Sequence, residues 1–478
     1  MMNAQLVTWV MAMVLSVVVP RYLGPSTVGQ FRLATALWLL GRILVAAGTT
    51  RFLQLEIARF GRQELRLVGP VILVRTATFV VVAAALGLYA VASDQGRVFE
   101  VLMIIVAIDS LFYVWMEAMS TAFVGLERMA TPATVNAIVR ICVTITTLVV
   151  IVLNGSVYAI GAASGVGFML GLIILVRRLR PLTPIVSRND VVHTREVMAG
   201  SLPFMFSGAA LVLYQQIDIV VISWTASDAA IGWYATADSL FGSLLFPATV
   251  LTATIFPTLG RMSNDDPEGL RRIVQRAFTS LVLLAVPIGL GTVLVAPSFA
   301  PLLYGDDFDE TGVVLAILGP VIILTFGTIL FGTLAQATGR VRLWTFVLFG
   351  SALLTIPLDL ALVPWAEERY SNGAIGGALA YLLTESIQFL IGLVVIARFI
   401  ATRSLSSRVV RILAAGGVMF LAGWPLRQSF VLIPAAVCAI VYAACLFVFR
   451  VVTEDERAML QSITGRLGIG RRGPRQAP

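Results

Sequence analysis

"LPFMFSGAALVLYQQIDIVVISW", residues Leu202–Trp224, is an apolar run of membrane-spanning length that carries a carboxylate. A helix needs about 20 predominantly apolar residues to cross the hydrocarbon core of a bilayer. Inside this run Tyr214, Gln215, Gln216 and Asp218 form a polar group. An acid within a span costs about 2.5–3.5 kcal/mol on insertion scales, so it faces a cavity or a partner and not lipid. Where Asp218 points therefore depends on how many such runs the chain has and how they pack.

The whole chain follows the same pattern. Its 478 residues are 58% hydrophobic and only 13% charged, with mean hydropathy +0.93, against about 25% charged in soluble domains. The composition is that of a polytopic membrane protein, with no long soluble stretch for a separate catalytic domain. The opening "MMNAQLVTWVMAMVLSVVVPRYLG" has no basic n-region and no small-residue cleavage site, so it reads as a first span. About fourteen apolar runs follow one another: 4–20, 33–50, 67–92, 98–122, 132–153, 157–176, 200–222, 233–257, 276–296, 313–334, 343–364, 373–397, 409–425 and 429–450.

All 34 basic residues are arginine. They concentrate in alternate connections: Arg51, Arg59, Arg62 and Arg66; Arg128; Arg177 to Arg195; Arg261, Arg271 and Arg272; Arg340 and Arg342; Arg398, Arg403 and Arg408; and the tail from Arg450 to Arg475. The opposite set holds little beyond Arg21, Arg97, Arg369 and Arg427, and its longest member, "YGDDFDETG", is acidic. The positive-inside rule then places both termini in the cytoplasm of a multi-pass inner-membrane protein. Cys142, Cys438 and Cys445 lie in apolar runs without ligand or disulfide spacing, and the single histidine, His193, sits in a polar connection. No cofactor, metal or nucleic-acid partner is expected. The acidic Gly305–Glu310 stretch lacks EF-hand spacing and reads as a solvated outer loop, and the arginine-rich tail as a segment drawn to anionic lipid.

The chain also repeats itself. "TVGQF" (Thr27–Phe31) precedes a span ending near "EIAR" (Glu56–Arg59), as "AIGWY" (Ala230–Tyr234) precedes one ending near "TLGR" (Thr258–Arg261). "YAIGAASGVG" from Tyr158 likewise parallels "NGAIGGALAY" from Asn372. Parallel repeats of this kind imply two lobes related by an axis along the membrane normal, with a binding site between them. The expected organisation is a six-helix lobe over 1–176, a cytoplasmic linker over 177–199, a second six-helix lobe over 200–397, two further helices over 398–450 and a basic tail over 451–478.

The same stretches resemble the polysaccharide (O-antigen type) flippases of the multidrug/oligosaccharidyl-lipid/polysaccharide (MOP) exporter superfamily. The resemblance rests on "RYLGPSTVGQF", "AAGTTRFLQLEIARF", "QQIDIVVIS" with "AAIGWYATADSL", "PLLYGDDF", "QATGR" and "NGAIGGALAYLLTES", in that order over most of the chain. It implies an all-α, two-lobed V-shaped bundle. This would be a monomer that moves a polyprenyl-diphosphate-linked oligosaccharide across the cytoplasmic membrane by alternating access, without covalent chemistry. Asp359, in "TIPLDLALVP", departs from the family, which more often has an amide there.

The ionisable residues inside the spans are the candidate site. Arg42, Arg75 and Arg140 are expected to face the central cavity and hold the diphosphate as bidentate donors. The alternative is that each pairs with Asp109 or Glu117 as a tie within one lobe. Asp218, Asp238 and Glu385 are the acids expected to line the cavity of the second half. Asp218 is open to three uses: accepting from sugar hydroxyls, pairing with a first-half arginine, or binding a coupling proton. A bridge to Gln215 or Gln216 is the structural alternative. Coupling to a proton or sodium gradient is compatible with these acids. Polar stripes at Asn136, Arg140 and Thr144, at Asp109, Tyr113 and Glu117, and at Tyr381, Glu385 and Gln388 recur at helical spacing, as inward faces require. Pro247, Pro257, Pro287 and Pro357 are expected to bend their helices. Trp38, Trp115, Trp224, Trp233 and Trp424 read as an interfacial belt. A coupled efflux pump for cationic drugs is the competing reading. A polytopic sugar polymerase or ligase fits less well, because the outer connections are short.

Overall fold

The computed structural model describes residues 2–93, 95–184, 190–400 and 402–451, and the expected basic tail lies almost wholly outside them. Every regular element among the described residues is helical. In chain order the helices are α1 (Met2–Leu23), α2 (Pro25–Ala46), α3 (Thr49–Phe60), α4 (Val68–Ala92), α5 (Arg97–Gly125), α6 (Ala130–Val152), α7 (Val157–Leu179) and α8 (Asp190–Thr225). They continue as α9 (Asp228–Leu244), α10 (Phe246–Asp265), α11 (Pro267–Tyr304), α12 (Asp309–Ala337), α13 (Val341–Tyr370), α14 (Gly373–Ile400), α15 (Arg403–Gly423) and α16 (Leu432–Val448).

Ten helical segments among the described residues are long and apolar enough to cross a membrane, with α3 and α4 joined as one, and the pair α9/α10 makes an eleventh. Val10–Leu23 and Leu432–Val448 are shorter apolar helices. The protein is a multi-pass membrane protein. Large apolar side chains such as Val152, Phe346 and Val394 stand on its outside, where lipid and not water is the solvent.

Local chemistry explains several boundaries. Gly24 has a φ of 77°, which suits glycine, and Pro25 at the first position of α2 lacks only a donor the helix start would leave unpaired. Ser227 caps α9 through Ala230 N at 3.3 Å, and Asp266 caps α11 through Gly269 N at 2.8 Å.

Two expected spans are redrawn. The run 33–50 belongs to two helices: α2 starts eight residues earlier at Pro25, and Gly48, at a φ of 76°, separates it from α3. The run 233–257 breaks at Leu245, where α9 and α10 meet at 43°. Pro247 lies in the first turn of α10, and its ring would clash with the carbonyl four residues back if α9 continued. The segment 177–199, expected to be a linker, is helical at both described ends, with α7 running to Leu179 and α8 starting at Asp190.

α5, α6 and α7 pack on one another in the first half, with α1 against α6 and α2 against α5. In the second half α11 packs on α12, α13 on α14 and α8, and α12 on α9, α10 and α14. The halves meet where α2 lies along α9 and α8, and where α3 and α4 also touch α8. Helices in lipid gain little from apolar burial alone, so close contact depends on small residues. A Cβ on Gly29 would stand 1.9 Å from the Asp228 carbonyl oxygen, and one on Gly232 would stand 2.0 Å from that of Pro25. The backbones of α2 and α9 therefore touch, and one apolar core runs across the seam from Leu33 and Trp38 to Ile231 and Tyr234. α15 and α16 pack on each other and on α11 around Val286, Leu294, Ile412 and Met419.

Candidate functional site

Two cavities lie on either side of α9. The first, about 500 Å³, is in the second half and is walled by α8, α9, α12, α13 and α14. Three of the expected acids, Asp218, Asp238 and Glu385, line it together with Gln215, Gln216 and Gln388. Hydroxyls hold two of these acids, Glu385 and Asp218. Tyr214 donates to Glu385, and Thr328 Oγ1 donates to Glu385 Oε1 at 2.6 Å. Tyr234 donates to Asp218 Oδ2 at 2.5 Å. Tyr381 packs edge-on against Tyr214 and Phe241 at centroid distances of 6.1 and 5.6 Å, and Trp344 completes an aromatic wall.

Asp218 thus has a partner within its own half and no first-half arginine. It also lies against Asp359 of α13, which is fully buried. Apart from the Tyr234 hydroxyl and the facing carboxyl itself, no side-chain donor reaches either carboxyl among the described residues. Gln215 and Gln216 line the cavity without bridging Asp218.

The second cavity, about 370 Å³, lies between the halves, walled by α1, α2, α6 and α7 on one side and by α9 on the other. Two arginines line it, Arg32 and Arg140, among the hydroxyls of Ser16, Thr147, Ser164, Ser239 and Ser243. Arg140 is half-buried and has no hydrogen-bond or ion-pair partner among the described residues. Arg32 donates to Ser239 across the seam and lies beside Asp238. Consecutive residues of α9 therefore serve opposite cavities: Asp238 lines the acidic one and Ser239 the basic one.

Arg42 and Arg75 do not share this placement; each forms the tie within one half that was the alternative to a cavity role. Arg42 bonds Asp109 Oδ2 and Ser110 Oγ, both at 2.9 Å, and its guanidinium sits 4.6 Å from the centre of the Tyr113 ring. Arg75 is fully buried. It donates to Thr49 Oγ1 at 2.9 Å, Thr50 Oγ1 at 2.8 Å, the Val114 carbonyl at 2.6 Å and Glu117 Oε2 at 3.1 Å. The reason is local: Asp109 and Glu117 stand on one stripe of α5 facing α2 and α4, so each arginine meets an acid before it meets the cavity.

Sequence reasoning missed Arg32. It stands beside "TVGQF", a stretch read as the approach to a span, yet it lies inside α2 and faces α9. The belt reading also needs correction at Trp38, which is buried and donates from Nε1 to the Met103 carbonyl at 3.0 Å. The acidic stretch is more than a solvated loop: Phe308 is buried, Asp307 accepts from Trp233 Nε1 through its carbonyl at 2.9 Å, and Glu310 accepts from Asn372 at 2.6 Å.

Comparison with known proteins places the chain in context. A family model described as "Polysaccharide biosynthesis protein" matches residues 1–263, more than half of the chain, and one described as "MatE" matches 203–361. The chain is 22% identical over 212 residues to the "Probable low-salt glycan biosynthesis flippase Agl15" of Haloferax volcanii. That match covers 43% of this chain and 44% of the relative, so the chain spans under half that relative's length. It is 24% identical over 287 residues to the "Putative O-antigen transporter" of Shigella dysenteriae, covering 58% of this chain and 67% of that protein. Among solved structures, "Lipid II flippase MurJ, inward closed conformation" superposes with a TM-score of 0.77 at 13% identity, over 94% of this chain and 98% of that one.

Proposed function

The chain belongs to the polysaccharide biosynthesis protein family of the MOP exporter superfamily, and on that premise we propose that it flips a lipid-linked saccharide across the cytoplasmic membrane by alternating access. The observation that carries the reading is Arg140. A half-buried guanidinium with no acid partner among the described residues, in a cavity that Arg32 and five hydroxyls also line, fits an anionic group arriving from outside the protein. A polyprenyl diphosphate carries such a group. Arg32 and Arg140 hold the diphosphate in this reading, and Arg42 and Arg75 keep α2, α4 and α5 in register. The names of the Haloferax and Shigella relatives support the same class of cargo.

Alternating access requires the α2–α9 seam to open. Gln30 Nε2 donates to Asp228 Oδ2 at 2.7 Å at one end of it, and the Arg32–Ser239 bond crosses its middle. The arginine distribution supports an orientation with the Gln30 end outside and both termini in the cytoplasm. Coupling to a proton or sodium gradient is assigned to the adjoining carboxyls of Asp218 and Asp359. An unchanged dependence of transport on the gradient in Asp218→Asn would refute that assignment.

The acidic, aromatic cavity favours a second reading, since carboxyls and ring faces also suit an organic cation. One experiment separates the two. Depletion of the protein in its host should make polyprenyl-diphosphate oligosaccharide accumulate while surface polysaccharide falls. Normal precursor levels with new sensitivity to cationic drugs would replace the flippase with an efflux pump.

A further inference from the structure

The cavity of the second half has a one-sided chemistry. Three carboxyls line it, and its lining contains no arginine and no histidine, in a chain without lysine. Its volume of about 500 Å³ lies in the range of small-molecule sites, about 300–1,000 Å³. Gln388 lines it at 3% exposure, and its Oε1 accepts no hydrogen bond among the described residues. A buried amide oxygen left without a donor is costly, and it belongs to a residue in the wall of this cavity.

We propose that this cavity seats the saccharide of the lipid-linked substrate, and that the units seated there are neutral or amine-bearing and carry no carboxylate. The inference rests on the flippase reading and adds the charge class of the cargo. Sugar hydroxyls, acetamido N–H groups and amines are donors of the kind that Asp218 Oδ1 and Gln388 Oε1 lack, and the apolar faces of sugar rings suit the walls formed by Tyr214, Tyr381 and Trp344. A uronic acid would bring a further negative charge among three carboxyls whose cavity lining carries no cation, the arginine beside Asp238, Arg32, lining the other cavity. Rejection of a wrong partner by like charge is a general route to specificity. Asp238 and Ser239 are consecutive on α9, so the cavity proposed for the saccharide and the one lined by Arg32 and Arg140 adjoin across that helix.

The test uses the full chain in lipid nanodiscs and native mass spectrometry with three ligands on one short polyprenyl diphosphate. The first is bare, the second bears a neutral disaccharide, and the third bears the same disaccharide with its outer hexose oxidised to the uronic acid. The neutral ligand is expected to bind at least about tenfold more tightly than either of the others. Replacing Glu385→Gln together with Asp238→Asn should bring the neutral-to-uronic ratio below about threefold. Tyr214 and Thr328 donate to different oxygens of Glu385, so in Glu385→Gln the amide oxygen accepts from one of them while the amide NH2 donates to the hydroxyl oxygen of the other, which favours a folded variant. Equal or tighter binding of the uronic ligand by the unaltered protein overturns the charge class, whatever the variants do. Equal binding of bare and neutral ligands removes the saccharide from this cavity and leaves the flippase reading standing. Binding of none of the three overturns both.

Discussion

The two halves of the molecule treat buried charge in opposite ways. In the first half, Arg42 meets Asp109 and Arg75 meets Glu117, each within 3.1 Å or less. In the second, of Asp218, Asp238, Asp359 and Glu385, only Asp238 has an arginine beside it among the described residues, Arg32 from across the seam, while hydroxyls of Tyr214, Tyr234 and Thr328 hold Glu385 and Asp218, and Asp359 lies against Asp218. A buried ion pair neutralises itself and orders helices, and removing one partner strands the other. A carboxyl held by hydroxyls stays able to bind something else. In the first half Arg42 and Arg75 are tied to acids and Arg32 and Arg140 line the cavity between the halves, whereas in the second half Asp218, Asp238 and Glu385 line a cavity whose lining has no arginine.

The sharpest way to break this comparison is Arg75→Ala. It leaves Glu117, the Val114 carbonyl and two threonine hydroxyls without their donor, and should cost about 3–5 kcal/mol of stability, seen as a lower unfolding temperature in detergent and loss of protein from the membrane. Next comes a matched pair. Asp109→Asn should cost about 2 kcal/mol, because Arg42 keeps Ser110 and the Tyr113 face, while Glu385→Gln should change stability by less than about 1 kcal/mol and lower transport. Equal destabilisation by the two would erase the distinction between the halves.

The seam between them offers two smaller tests, both read with a cysteine at position 30 or nearby in a background lacking Cys142, Cys438 and Cys445. Gly29→Val forces α2 away from the Asp228 carbonyl. External labelling of a cysteine at position 30 by an impermeant maleimide should rise about tenfold, equivalent to ~1.4 kcal/mol. Gln30→Ala removes only the hydrogen bond to Asp228, about 1 kcal/mol, and should raise labelling of a cysteine at position 26 about fivefold.

Much of this was legible in the chain alone. The all-helical membrane class follows from composition and run length, and the acids of the second-half cavity from polar stripes such as Tyr381, Glu385 and Gln388. The break between α9 and α10 had a signal in Pro247, though not its angle. What stayed hidden depended on partners distant in sequence. The stripe on α5 showed that Asp109 and Glu117 face inward, but not that Arg42 and Arg75 reach them before any cavity. Arg32 was hidden because Ser26, Thr27 and Gln30 before it look like a polar connection. Gln30 and Arg32 sit inside a helix because α9 supplies Asp228 and Ser239 as their partners and lets its backbone approach at Gly232.

The most direct test of the central claim is a flipping assay in sealed vesicles containing the purified protein and a fluorescent polyprenyl-diphosphate saccharide, with and without Arg32→Gln plus Arg140→Gln. The account predicts transfer to the opposite leaflet by the unaltered protein and its loss in the double variant, with the variant still folded. Transfer that survives loss of both arginines, or no transfer by the unaltered protein, would contradict it.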